Sequence, residues 1–233
     1  MTGNEKGMEL VRKINREWRL ELEKDTSLSI LQYEPLTDKY WNEEYKIVFC
    51  NLEPGGDPPE DKKEILEIFK YWLEINNLTI KNTATFVYCL YNILHGNEIS
   101  ENDKEIAKKD NVKLMNVMEK ATYMNLLQSV GYSDFSKKSK NYFWDFYAKD
   151  QIQNRKNIVE LINALSPDIF IVTGEGQDLI MELFSKKFDK NHVFLHNDTL
   201  FVALGHPSRW WKGYILPNVK LIINGLKTHN LIK

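Results

Sequence analysis

The chain has 233 residues, of which 42% are hydrophobic, 12% aromatic and 27% charged; this excludes collagen-like, low-complexity and largely disordered chains. Lys plus Arg total 31 against 33 Asp plus Glu, a formal net charge of −2. Any grip on nucleic-acid phosphates must therefore come from a local basic face rather than from a general basic excess.

Glu5 to Lys24 places Met8, Val11, Ile14, Trp18 and Leu22 at helical spacing between charged residues, which predicts an amphipathic helix. Asp25 to Glu44 is less regular and is broken by Pro35, so residues 1–44 are expected to form a helical N-terminal extension packed on the remainder. Tyr45 to Asn51 carries the run Ile47-Val48-Phe49-Cys50 and stops at Leu52-Glu53-Pro54-Gly55-Gly56. That is the pattern of a strand covered on both faces and followed by a tight loop.

Helical patterns follow at Lys62 to Ile75, Thr83 to Leu94 and Asp103 to Lys120. Ala121 to Leu127 is the second expected strand. Asp168 to Thr173 is the third, between helical segments at Asn154 to Leu165 and Gln177 to Phe188. Thr199 to Gly205 makes a fourth strand that enters His206-Pro207-Ser208, and a last helix spans Leu216 to Leu226. Strands separated by long helical stretches imply crossover connections. The expected fold is a single domain, 1–233: a three-layer α/β/α sandwich around a mostly parallel four-stranded sheet. Ligands of such sheets bind beyond the carboxyl ends of the strands.

Only Cys50 and Cys89 are present, and neither sits in a CxxC pair, so a thiolate zinc or iron–sulfur site is not expected. Two isolated cysteines, no apolar run near the ~18 residues of a membrane span, and a polar stretch from Met1 to Lys24 predict a soluble, cytoplasmic chain. Gly174-Glu175-Gly176 imitates part of a dinucleotide fingerprint, but Leu179 holds the third glycine position and Glu175 would repel a pyrophosphate. His192 and His196 have ligand-like spacing, but no cysteine accompanies them and the stretch looks strand-like, so no metal is expected there. The basic and aromatic stretch Lys137 to Trp144 reads as a solvated loop before packed aromatics.

The strand ends deliver Glu53, Asn125, Gly174 and His206. In order along the chain stand Asn51-Leu52-Glu53-Pro54-Gly55, Tyr123-Met124-Asn125-Leu126 and Gly205-His206-Pro207-Ser208. This set, with the strand segment Ser166 to Gly174, resembles the motifs of the uracil-DNA glycosylase superfamily over roughly Tyr45 to Leu226. The resemblance implies hydrolysis of the N-glycosidic bond of uracil, or of a related deaminated or modified base, in DNA. It implies no cofactor and no metal, and a monomer that meets DNA rather than a membrane. Glu53 would position water and stabilise charge on the sugar, and His206 would stabilise the departing base. Asn125, with one acceptor and two donors on a planar amide, would read the base edge beside Leu52 and Gly55. Ser208, Arg209 and Lys212 would hold phosphates, and Trp210 would fill the space left by a flipped base.

Three departures qualify the expectation. Asn51 stands where the family most often has Gly, and Glu53 is one methylene longer than Asp. Gly55 replaces a bulky aromatic of the strictest uracil enzymes, which resembles branches accepting mismatched or modified pyrimidines. Phe69, Tyr71 and Trp72 are the candidates for the family's base-stacking aromatic. The alternatives are a catalytically silent module of the same fold, binding nucleic acid or a protein, and a hydrolase of free nucleosides or nucleotides.

Overall fold

Residues Ile47–Asn51 (β1), Thr122–Asn125 (β2), Ile169–Thr173 (β3) and Thr199–Leu204 (β5) are buried at every position. This is what strands covered on both faces require. They belong to a computed structural model that describes residues 3–22, 39–51, 65–126, 151–174, 176–211 and 213–232. With Val193–His196 as β4, the sheet order is β2-β1-β3-β5-β4. β1 pairs in parallel with β2 and β3, and β3 pairs in parallel with β5.

Among the described residues the sheet has five strands, which corrects the expected four. Val193–His196 (β4) joins the sheet antiparallel to β5, with Val193 opposite Val202 and His196 opposite Thr199. The two connecting residues, Asn197 and Asp198, both have positive φ, 47° and 64°. That is the backbone shape that matches the twist of a two-residue hairpin, reached here by two residue types that tolerate it without glycine. Asp189 locks the outer edge of β4. Its backbone N–H donates to the Val193 carbonyl at 2.9 Å, and its carboxylate accepts from the Val193 N–H at 3.0 Å.

Among the described residues, the helices are Gly3–Leu22 (α1), Ile65–Glu74 (α2), Leu78–Leu94 (α3), Glu101–Lys108 (α4), Asn111–Met118 (α5), Gln151–Leu165 (α6), Gly176–Phe184 (α7) and Ile215–Thr228 (α8). The single helix expected over 103–120 is two. Ser100 and Asp103 form a reciprocal capping box at the start of α4, and Asp110 accepts the Lys113 N–H at 3.0 Å to open α5. A side chain that caps a new helix ends the old one.

Strand alternation divides the core in two. Ile47, Phe49, Ile169, Ile171, Leu200 and Val202 face a cluster with α2, α3, α5 and α8. Val48, Cys50, Phe170, Val172 and Phe201 face a second cluster with α1, α6 and α7. Val11, Ile14 and Trp18 carry α1 onto that second face. The molecule is therefore α/β, with helices on both faces of a mixed five-stranded sheet.

Candidate functional site

The order β2-β1-β3 means that the chain leaves β1 to one side and returns on the other. Ligands of open α/β sheets settle at such a reversal, outside the carboxyl ends of the strands. Asn51, Asn125, Thr173 and Leu204 end the four parallel strands on that one rim. Glu53, Leu52, Gly55 and Lys212 lie outside the described residues.

At the centre of the rim, Asn51 is 5% exposed. Its amide N–H donates to the Tyr123 hydroxyl, and its amide oxygen accepts from the Thr173 hydroxyl. Its backbone carbonyl accepts the Leu126 N–H at 2.9 Å. One side chain thus ties the ends of β1, β2 and β3. Burial pushes the Tyr123 hydroxyl well above its ordinary pKa, so it stays protonated. Tyr123 stacks on Phe49 at 6.3 Å between ring centroids and meets the edge of Phe69 at 5.1 Å. Phe69 is buried in that contact, while Tyr71 and Trp72 are half-buried. Asn125 sits beside Asn51 in register and is buried.

β5 delivers the other group. After Leu204 the chain forms a short 3₁₀ turn, Pro207–Arg209, with His206 at its start. The His206 ring is half-buried. Its Nδ1 lies 2.8 Å from Ser208 Oγ and accepts the Ser208 backbone N–H at 3.3 Å. A ring nitrogen that accepts a backbone N–H carries no proton, which assigns the neutral ring's proton to Nε2. Burial, and then the charge of Arg209, lower the imidazole pKa. Both favour the neutral form, with Nε2 as a donor.

Gly174 lies directly against this ring. Its φ is +58°, and a Cβ built there would sit 3.7 Å from His206 Cβ and 3.8 Å from Cδ2. Glycine supplies the left-handed turn at the end of β3 without a side chain resting on the imidazole.

The turn is held by groups far away in sequence. Asn82, buried in α3, donates to the Pro207 carbonyl at 2.7 Å, and Lys108 on α4 donates to the Asn82 amide oxygen at 2.8 Å. Tyr214 accepts the Gly205 N–H at 2.8 Å, and Trp210 Nε1 donates to the Gly205 carbonyl at 2.7 Å. Trp210 is only 9% exposed and packs on Phe86, Phe49 and Tyr214. Its indole is an internal anchor of the turn, which is poor placement for insertion between bases. Its neighbour Trp211 is 68% exposed. Ser208 and Arg209 are exposed on the same turn.

No protein-family model matches this chain, and no curated protein sequence does. β2 and β5 stand three places apart in the sheet, about 14 Å at ~4.8 Å per step. A ligand touching both Asn125 and His206 must lie across the ends of β1 and β3.

Asn82, Lys108, Tyr214 and Thr173 were not among the expected site residues. The one sequence signal was Asn82, an amide set in the apolar face of a helix. Cys50 and Cys89 are free, buried thiols. Burial raises both, Cys89 to about 12, so neither is a nucleophile near neutral pH. Among the described residues no group of three or more His, Cys, Asp or Glu is disposed to hold a metal ion, and no helix is long and apolar enough to cross a membrane.

Proposed function

We propose that the protein is a DNA glycosylase of the uracil-DNA glycosylase type, hydrolysing the N-glycosidic bond of uracil or a related deaminated or modified base. The observation that carries this reading is the half-buried His206. Its Nδ1 is occupied as an acceptor and its pKa is lowered, on the same strand-end rim as the buried amide of Asn125.

In the reaction, the bond from the sugar C1′ to the base nitrogen breaks and the electron pair leaves with the base. Positive charge grows on the sugar and negative charge on the base. A neutral imidazole donating from Nε2 to the base oxygen stabilises the departing anion without giving up its proton. Asn125 offers its amide oxygen to a ring N–H and its amide N–H to the neighbouring carbonyl, the pattern of the uracil edge. Glu53 has the chemistry to orient water toward C1′ and take its proton, so that a hydroxyl is added to the sugar. Flipping the nucleotide costs a few kcal/mol and is cheapest for mismatches and single strands.

The test is alkali cleavage of labelled oligonucleotides carrying uracil in single-stranded, U:A and U:G contexts. Wild type excises uracil, and His206→Ala loses about 2.7–4 kcal/mol of transition-state stabilisation, a hundred- to thousandfold in rate. Glu53→Gln loses excision while retaining DNA binding. Binding without excision in the wild type would replace this reading with a silent module of the same fold.

A further inference from the structure

The aromatic packing of the core does not end at the surface. Phe49 and Phe86 pack on Trp210, and Trp210 stacks on Tyr214 with ring centroids 5.0 Å apart and planes at 18°. Trp211 extends the row outward. Its centroid lies 4.9 Å from that of Tyr214, with the planes at 79°. The Tyr214 N–H donates to the Trp211 carbonyl at 3.0 Å, which closes the turn that carries the ring. Gly213 lies alongside, where a Cβ would sit 3.6 Å from Trp211 Nε1 and 3.8 Å from Cδ1. Tyr214 is fixed in turn, because its hydroxyl accepts the Gly205 N–H at 2.8 Å, one residue before His206.

Isolated apolar side chains are ordinary on a protein surface. Trp211 differs from the others. It is the one aromatic among the large hydrophobic side chains exposed in the described residues, at 68%. Its indole already rests on Tyr214 and Gly213, so ordering it on a ligand loses little side-chain entropy. It also follows directly on the His206 turn, and the exposed residues near it in sequence, Ser208, Arg209 and Gly213, are polar or small. The anchor of a protein interface is ringed by contacts that exclude water. A ring set among polar groups suits instead a flat ligand that is apolar on its faces and polar at its edges, which is the chemistry of a nucleobase.

We infer that Trp211 is a stacking platform for one unpaired nucleobase of a strand lying across the His206 turn. The choice of a nucleic-acid strand rests on the glycosylase reading; the choice of a flat ring with polar edges does not. In a duplex both faces of an internal base are covered by its neighbours, and opening a step costs about as much as one new stack returns. The base that Trp211 takes is therefore one that is already unpaired, and the platform favours single strands and frayed ends over intact duplex.

The experiment measures binding of a short, uracil-free oligothymidine by fluorescence anisotropy, with uracil excision followed in parallel. An abasic strand and a uracil-free duplex of the same length serve as the comparison ligands. Trp211→Ala should keep the wild-type urea midpoint and weaken oligothymidine binding by about 5- to 160-fold, the loss of one stacked base. Trp211→Phe, which keeps a ring, should recover most of it. Neither variant should change binding of the abasic strand, which has the phosphates without the bases, or of the duplex.

An unchanged affinity of Trp211→Ala for oligothymidine overturns the platform, even if uracil is excised. So does an equal loss on the abasic strand, which would trace the effect to the phosphates, or an equal loss on the duplex, which would make the ring a wedge. Absence of oligothymidine binding in the wild type overturns it as well. Self-association of the wild type that Trp211→Ala abolishes would make the ring a contact between copies of this chain and overturn its assignment to a base. The expected losses without excision in the wild type sustain the platform and overturn the glycosylase reading.

Discussion

The two halves of the rim are built by opposite means. At the ends of β1, β2 and β3, the groups that meet are brought together by strand register, and one amide, that of Asn51, joins two hydroxyls from the neighbouring strands. Around His206 the backbone is irregular. Its shape is imposed by Asn82 and Lys108 from α3 and α4, and by Trp210 and Tyr214 from the segment that follows. The first half is a property of the sheet and tolerates little, because its polar atoms are buried. The second half is a short turn braced from outside, with its working side chains partly in water. A site made this way keeps a rigid floor and concentrates adjustable chemistry in one turn.

The comparison breaks most visibly at the tryptophans. Trp210→Ala removes the indole that packs on Phe86 and anchors Gly205, and should destabilise folding by about 3–5 kcal/mol in urea denaturation. Trp211→Ala, at an exposed position, should change stability by less than about 0.5 kcal/mol. Equal effects would mean that Trp210 does not brace the turn.

A somewhat smaller effect tests the strand side. Asn51→Leu leaves the Tyr123 hydroxyl buried without its amide, at about 1–3 kcal/mol, while the Thr173 hydroxyl keeps the Cys50 carbonyl at 3.4 Å. Loss of activity without loss of stability would instead make Asn51 a group that touches the ligand.

The smallest effect sharpens the turn side. The His206 pKa is depressed in the fold, so the unfolded chain binds the proton more readily. The stability due to the neutral ring is complete above the ordinary histidine value of about 6.5 and declines as pH falls from there toward the depressed value. For the proposed glycosylase reaction, the acid limb of kcat/KM should therefore lie below about 6.5. Arg209→Gln, by removing the depressing charge, should move it upward. NMR titration of the imidazole C–H resonances reads the same shift directly.

These contrasts also explain which features were legible in the sequence. β1, β3 and β5 are continuous apolar runs ended by turn residues, so their existence follows from local pattern, and their parallel direction from the helical stretches between them. β4 is shorter and only partly buried; its stretch is strand-like in sequence, but it turns on Asn197 and Asp198 without a glycine, so it is not counted into the sheet from sequence. The break between α4 and α5 turns on whether Asp110 faces solvent or caps a helix, which periodicity does not decide.

Asn125 and His206 are legible as candidates because one ends a strand and the other follows a strand by two residues. Asn51 was noticed as a departure from a motif, but its partners lie 72 and 122 residues away and its role as a tie followed only from register. The bracing of Pro207 by Asn82 spans 125 residues. Trp210 and Trp211 were indistinguishable because they occupy a turn, where no helical or strand period says which ring faces inward.

The lock between Asp189 and Val193 matters beyond the hairpin it closes. An outermost strand offers its spare backbone groups to any extended peptide that drifts past, and runs of such strands are where β proteins begin to stick to one another. Here the Val193 N–H and carbonyl are already taken by one residue of the same chain. A foreign strand would have to displace a carboxylate and leave it beside its own carbonyls. Asp189→Ala should therefore make the protein more prone to aggregate on heating while leaving the distant His206 turn intact, which separates the loss of a guarded border from the loss of function.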